Sequence, residues 1–227
     1  MNNPSQDKIT SNDGSFILIV SRSPRLHYAE DMLPAGDNQL VQIVNAATAD
    51  AARRSGDWLK CRPGCTQCCI GVFPISQLDA LRLRHGLADL ERTDAPRADA
   101  IRRRAHESGA RLKPDFPGNL ETGQLDEDDP SFTDFANDEP CPVLDPKTGT
   151  CDLYAARPMT CRVFGLPIRS ADGIGVCELC FDGASDAEIL SAELQTDWTS
   201  LEGSLNTEAE QASGRKGSTV VAFALLA

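Results

Sequence analysis

Residues 61–71, with the sequence CRPGCTQCCIG, carry four cysteines within nine positions, and two of these cysteines are adjacent. Thiols packed this closely restrict a fold strongly, because they point to disulfides, a metal or cluster site, or a catalytic nucleophile. Whatever joins these sulfurs decides which parts of the chain come together, and the rest of the sequence has to distinguish between the possibilities.

A second group of five cysteines begins after positions 70–140, which contain none. This group has the pattern C-x9-C-x9-C followed by C-x2-C, and the x2 spacing also occurs in the first group. A C-x2-C pair lets two sulfurs meet one metal ion, because the backbone between them turns sharply. We therefore take all nine thiols as candidate metal ligands: Cys61, Cys65, Cys68, Cys69, Cys141, Cys151, Cys161, Cys177 and Cys180.

The candidate ligands are mostly or wholly sulfur, because the chain has only three histidines, His27, His85 and His106, and each is expected at the surface. Thiolate sites favour zinc, copper(I) or iron–sulfur clusters over magnesium or calcium. A four-cysteine zinc site and a four-cysteine [4Fe–4S] cluster both remain open, and eight thiols would fill two such sites. The adjacent Cys68 and Cys69 are expected to serve two metals, or to divide into one ligand and one packed or reactive thiol.

Three arginines lie close to cysteines in the sequence: Arg62, Arg157 and Arg162. Their positive charges would offset the negative charge that a four-thiolate site carries. For Arg157 the alternative is an ion pair with a carboxylate such as Asp152 that fixes the loop, and the two interpretations have equal weight.

Disulfides and a catalytic cysteine are the alternatives to a metal. The apolar run at 16–20 is too short for a signal peptide, and the one at 220–227 is too short to span a bilayer. We therefore expect a soluble, cytoplasmic protein, in which thiols stay reduced. A single catalytic nucleophile would not explain nine thiols, so metal binding is the preferred interpretation.

The charge of the chain argues against two classes of partner. It has 34 acidic and 22 basic side chains, for a formal net charge of −12. Phosphate backbones and anionic membrane surfaces attract clustered Lys and Arg. We therefore predict a metal ion as partner, with no nucleic acid and no membrane, and the sequence does not indicate a protein partner.

The chain divides into three predicted parts. Residues 1–36 form an N-terminal arm, partly disordered, with one short strand at 16–20. Residues 37–202 form the cysteine-cluster domain. Residues 203–227 form a linker and a C-terminal apolar segment, with a final strand predicted at 219–227.

Helical periodicity and capping residues predict four helices, at 38–58, 76–85, 95–108 and 186–201. Gly86 and Gly109 are expected to end the second and third helices, and Ser185 with Glu188 to form a capping box before the fourth. The acidic stretch at 114–140 is predicted to be an exposed connection that lets the second cysteine group fold back onto the first. The fold class is therefore α+β or mostly α, small and loop-rich, organised around one or two thiolate metal sites.

The order of motifs resembles the YkgJ-type cysteine-cluster family, whose signature is CxxCxxCC. C-x3-C-x2-C-C is followed here by Cys141-Pro142, then Cys151 with Tyr154, then Arg157-Pro158 and finally Cys161-Arg162. The resemblance covers about 58–182. It implies a domain that chelates zinc or iron, with the first seven cysteines as its site, although the opening spacing is x3 rather than x2. Cys177 and Cys180 lie beyond the matched motifs.

The function predicted from the sequence is a metal-binding protein that holds zinc or iron, with an iron–sulfur cluster left open, through its clustered cysteines. Its role would be structural, sensing or electron transfer. Another possibility is an interaction protein in which zinc only stabilises the fold. The alternative is a protein-modifying enzyme that resembles flagellin lysine N-methylases and uses an iron–sulfur centre. No catalytic residues are assigned, and binding is favoured over catalysis.

Overall fold

The computed structural model describes residues 32–170 and 173–227, and about half of this part of the chain is helical. The helices are α1 (Asp37–Ser55), α2 (Gln77–Thr93), α3 (Ala95–Leu112), α4 (Met159–Val163), α5 (Asp186–Ala192), α6 (Thr199–Ser213) and α7 (Val221–Ala224). The strands pair in antiparallel hairpins: β1 (Gly118–Asn119) with β2 (Gln124–Leu125), β3 (Leu144–Asp145) with β4 (Thr150–Cys151), and β5 (Ile168–Ser170) with β6 (Gly173–Gly175). The strand predicted at 16–20 and most of the N-terminal arm lie outside the described residues.

The helices α2 and α3 form a hairpin at the centre of the fold, and their caps follow from the sequence. The hydroxyl of Ser76 accepts the amide N–H of Asp79 at 3.1 Å, as predicted for the start of α2. Asp94 ends α2 and begins α3, where its carboxylate accepts the N–H of Arg97 at 3.2 Å. Pro96 occupies the first turn of α3, where its missing N–H costs nothing.

Both faces of α2 are buried, and they belong to two aliphatic clusters. One cluster joins α2 to α3 and α7 through Ile75, Leu83, Ile101, Val143 and Val221. The other joins α2 to α1, α4 and α6 through Leu40, Val44, Leu78, Leu81, Met159 and Leu205. Apolar burial contributes about 25 cal/mol per Å², so these clusters stabilise the helical part.

Gly86 and Gly109 do not end helices, which corrects the prediction from the sequence. Both lie inside α2 and α3, which continue to Thr93 and Leu112. A Cβ on Gly86 would lie 2.4 Å from the Cβ of Ala156, and one on Gly109 would lie 2.7 Å from Leu226. The glycines are therefore places where another segment approaches the helix closely.

Substitution by alanine is expected to have opposite effects on stability at two helical glycines, one crowded and one open. Gly86→Ala is expected to destabilise the protein by about 1–3 kcal/mol, because the new methyl group overlaps Ala156. The matched control is Gly203→Ala in α6, where a Cβ meets nothing within 4 Å. That change is expected to stabilise by up to about 1 kcal/mol through helix propensity. Urea denaturation of both variants checks the signs, and stabilisation by both would contradict the close approach.

A buried ion network ties α1, α2 and α4 together. The guanidinium of Arg82 donates to Asp37 at 3.0 Å and also pairs with Asp79, and all three residues are buried. Asp79 in addition accepts the backbone N–H of Met159 at 3.0 Å, at the start of α4. Asp37 or Asn38 is the cap that the sequence suggests for this helix, but Gly36 occupies the N-cap position and Asp37 belongs to the ion network instead.

The C-terminal part departs most from the sequence prediction. The capping box of Ser185 and Glu188 is confirmed, but helix α5 ends at Ala192 rather than near 201. Most of the predicted linker at 203–218 belongs to α6, and the predicted final strand is a single bridge of Thr219 with Ile75 followed by α7. No helix in the described ranges has the length and apolar content needed to cross a bilayer.

The acidic connection at 114–140 packs through its few aromatic side chains. The ring of Phe116 lies edge-on to Phe223 of α7, with 4.6 Å between centroids, and also contacts Phe135 at 5.9 Å. These contacts hold the connection against α3 and α7 and return the chain to the first cysteine group.

Candidate metal site

All nine cysteines lie in the described part of the chain and are free thiols. The first four lie in the loop between α1 and α2. Two turns shape this loop, because the N–H of Cys65 donates to the carbonyl of Arg62 at 2.9 Å and that of Cys69 donates to the carbonyl of Thr66 at 2.8 Å.

The two cysteine groups meet although 71 residues, 70–140, separate them in the sequence. The N–H of Cys141 donates to the carbonyl of Cys69 at 2.8 Å, and Ile70 forms an antiparallel bridge with Pro140. The start of the second group is therefore fixed by backbone hydrogen bonds beside the end of the first.

The hairpin of β3 and β4 brings Cys151 back towards Cys141. Leu144 pairs with Cys151 across the hairpin, and the N–H of Leu144 donates to the carbonyl of Cys141 at 3.0 Å. Cys141 and Cys151 are both half-buried and pack against the aliphatic cluster that contains Val143 and Leu153. The apolar core thus positions two thiols that are ten residues apart in the sequence.

Cys161 is positioned by helix α4. Asp79 holds the first N–H of that helix, through Met159, and thereby fixes α4 against α2. Burial raises the pKa of the Cys161 thiol. The neighbouring thiols that raise this pKa further are those of Cys141, Cys68 and Cys151.

The last two cysteines lie in a different environment. Cys177 and Cys180 are buried in a small apolar cluster with Trp58 and Leu59, which come just before the first cysteine group. The backbone N–H of Lys60 donates to the Sγ of Cys180 at 3.4 Å. An N–H group that donates to sulfur stabilises a thiolate, so this amide favours Cys180 as a ligand.

Gly165 is a site residue that the sequence analysis did not single out. Its φ of 95° lies in the left-handed region, and a Cβ there would be 2.6 Å from the Sγ of Cys61 and 3.7 Å from that of Cys180. Gly165 therefore leaves the space in which these two sulfurs approach each other. A glycine after a short helix is an ordinary turn signal, so only the tertiary contact reveals this role.

Arg157 does not pair with Asp152, which was one of the two interpretations. Asp152 is held instead by Arg97 and Arg104, each at 2.6 Å. The guanidinium of Arg157 lies 3.9 Å above the ring of Tyr154. This stacking leaves the charge of Arg157 available to the thiols.

The adjacent thiols Cys68 and Cys69 differ in acidity. A hydrogen bond from Cys69 is the main cause that lowers the pKa of Cys68 to about 7, and the charge of Arg157 also lowers it. The same hydrogen bond, with burial, raises the pKa of Cys69. Arg162 has another role, since it is buried and its Nη1 donates to Asn45 of α1 at 3.1 Å.

Neither of the two histidines in the described ranges takes part in the cysteine clusters. His85 and His106 are exposed, as expected, and His27 lies outside the described residues. Within 32–170 and 173–227, no group of three or more Cys, His, Asp or Glu side chains is arranged to hold a metal ion as the side chains stand. Thiolate sites generally assemble together with their metal, because binding and local folding are coupled.

Comparison with protein families shows which family the chain belongs to. The family CxxCxxCC, described as "Putative zinc- or iron-chelating domain", matches residues 60–180, a little over half of the chain. The chain belongs to this family. The matched CxxCxxCC domain contains all nine cysteines and confirms the predicted resemblance. Comparisons with curated proteins and with solved structures gave no match.

Proposed function

We propose that this protein binds zinc or iron through cysteine thiolates, and that the metal holds the loop-rich part of the CxxCxxCC domain together. The observation that carries the proposal is the gathering of nine free thiols from chain segments that are far apart in the sequence. Sulfur of this number and density, with the two described histidines exposed, is the ligand chemistry of zinc and iron rather than of magnesium or calcium.

The residues around the thiols fit a thiolate site. A four-thiolate site with a divalent ion carries two negative charges, which burial makes costly. The N–H of Lys60 donates to Cys180, and the charge of Arg157 lowers the pKa of Cys68. Both groups favour the thiolate form, which is the form that binds metal.

A structural role follows from where the thiols lie. Regular structure is sparse in 56–71 and in 141–181, where the helices and strands are at most five residues long. Short loops with a small apolar core need a cross-link to be ordered, and metal–thiolate bonds supply one in a protein without disulfides. We therefore propose that the bound ion staples these two regions to each other and to the helices α2 and α3.

The first test is the metal content of the protein purified without oxygen. We expect zinc or iron in at least a one-to-one ratio to the chain by elemental mass spectrometry. Acid-labile sulfide and a visible absorption spectrum then separate an iron–sulfur cluster from a colourless zinc site. Thiol titration of the metal-depleted, unfolded chain is the control and should find nine thiols. A metal-free protein whose thiols have formed disulfides would overturn the proposal.

A further inference from the structure

We infer that the nine cysteines form two separate metal centres, which we call the outer and inner centres. The outer centre consists of Cys61, Cys65, Cys177 and Cys180. The inner centre draws its ligands from Cys68, Cys69, Cys141, Cys151 and Cys161. The inference rests on the proposed function and adds to it how the thiols are divided.

The outer centre is defined by contacts between the first loop and the last cysteine pair. The sulfurs of Cys61 and Cys180 both border the space that Gly165 leaves open. The N–H of Cys180 donates to the carbonyl of Cys177 at 2.8 Å, which closes the tight turn of the C-x2-C pair. The N–H of Phe181 donates to the carbonyl of Trp58 at 3.0 Å and fixes this turn beside the loop.

The acidity of the outer thiols follows the same grouping. Burial, followed by the thiols of Cys180, Cys65 and Cys177, raises the pKa of Cys61 to about 12. Burial also raises the pKa of Cys177, and Cys180 and Cys65 add to that shift. Cys65 is assigned to the outer set because its N–H donates to the carbonyl of Arg62 at 2.9 Å, a turn that returns the chain beside Cys61.

The inner centre is built on the backbone hydrogen bond between Cys69 and Cys141, on the β3–β4 hairpin and on helix α4. Burial is the main cause that raises the pKa of Cys141 to about 12, and the thiols of Cys151 and Cys68 contribute to the same shift. Thiols of the inner set, those of Cys68, Cys141 and Cys151, also raise the pKa of Cys69 and of Cys161.

The two centres lie against different parts of the core. Cys177 and Cys180 pack in the small cluster with Trp58 and Leu59. The inner thiols of Cys141 and Cys151 pack instead against the aliphatic cluster around α2 and α3. Two separate packing environments are the pattern of two sites, not of one polynuclear cluster shared by all nine thiols.

The number of thiols in each centre indicates which metal ion it binds. The outer centre has the four thiolates that a closed tetrahedral zinc site requires. The inner centre has one thiol more than a four-coordinate ion needs, and the adjacent pair Cys68 and Cys69 provides the surplus. We therefore assign a single structural zinc ion to the outer centre and a second zinc or iron ion to the inner one.

The test compares two single substitutions by metal content. Cys180→Ser and Cys151→Ser are purified without oxygen beside the unchanged protein, and metal per chain is measured for each. We expect two ions in the unchanged protein, a loss of about one in each variant, and a loss of both in the double variant. If the unchanged protein holds one ion and either substitution removes it, there is a single centre, and the inference is overturned while the proposed function stands. No metal in the unchanged protein would overturn both.

A second pair of variants removes no thiol. Gly165→Ala is expected to lower the metal content by about one ion, because its methyl group overlaps the sulfur of Cys61. The matched control is Gly183→Ala, which has a similarly positive φ of 78° but open space around its Cβ. Equal metal content in the two variants would contradict the outer centre.

If a variant fails to fold, cadmium NMR of the unchanged, cadmium-loaded protein answers the same question. Two resonances without coupling between the metals are expected from two separate centres. One resonance, or resonances coupled through shared sulfur, would overturn the division.

Discussion

Removing the bound metal is expected to unfold the cysteine-bearing loops and to lower the melting temperature more than any single substitution named above. Binding of structural zinc by small domains contributes apparent free energies of about 10–16 kcal/mol, and this energy is available only to the folded state. Two of the outer thiols, those of Cys177 and Cys180, lie in a small apolar cluster, so few other contacts hold them in place.

The measurement is circular dichroism with hydrogen exchange, before and after treatment with a strong chelator. We expect exchange protection to fall first in 56–71 and 141–181, while α2 and α3 keep theirs longer because their aliphatic core needs no metal. Adding back zinc should restore the melting temperature, and magnesium, which thiolates bind poorly, serves as the control. A fully stripped protein with an unchanged melting temperature and unchanged exchange would contradict a structural role for the metal.

Arg82→Met is expected to destabilise the protein by about 3–5 kcal/mol. The side chains of Arg82 and Asp37 are only 4% and 5% exposed, and Asp79 is equally buried. Removing the cation leaves two buried carboxylates without their shared partner, and Met fills much of the volume, so the loss is electrostatic. Because Asp79 also holds the start of α4, we expect lower metal affinity in the centre that includes Cys161.

The pH dependence of this variant has a defined sign. Burial raises the pKa of Asp79, and Arg82 opposes that shift. Without Arg82 the pKa rises further, so the variant loses stability as the pH increases through the raised value. The destabilisation measured by urea denaturation should therefore shrink as the pH is lowered.

The control for Arg82→Met is Arg92→Met on the same helix. Arg92 pairs with Asp89, but the two side chains are 77% and 56% exposed. Exposed pairs of this kind contribute about 0–1 kcal/mol. Equal losses in the two variants would mean that the buried network does not stabilise the fold.

Local sequence signals predicted those parts of the fold that depend on local interactions. The caps at Ser76, Asp94 and Ser185 are side-chain contacts to backbone N–H groups three residues away, so residue type and spacing suffice. The prediction that Gly86 ends a helix was wrong, because a glycine is needed there for close contact with Ala156, which lies 70 positions further along the chain. The helical segment predicted as a linker, α6, has a weak apolar stripe and is stabilised by packing on α2 through Leu205.

The sequence by itself determined the chemistry of the candidate site. Nine cysteines in two groups, with few histidines, indicate sulfur ligands and a metal that prefers them, whatever the fold. Only the tertiary structure decided which thiols are neighbours. Cys65 and Cys68 have the spacing of a ligand pair, but we assign them to different centres, because spacing limits how close two sulfurs can come and does not choose the distant segment packed beside each. That choice depends on the core around α2 and α3, on the ion network of Arg82 and on the space left by Gly165.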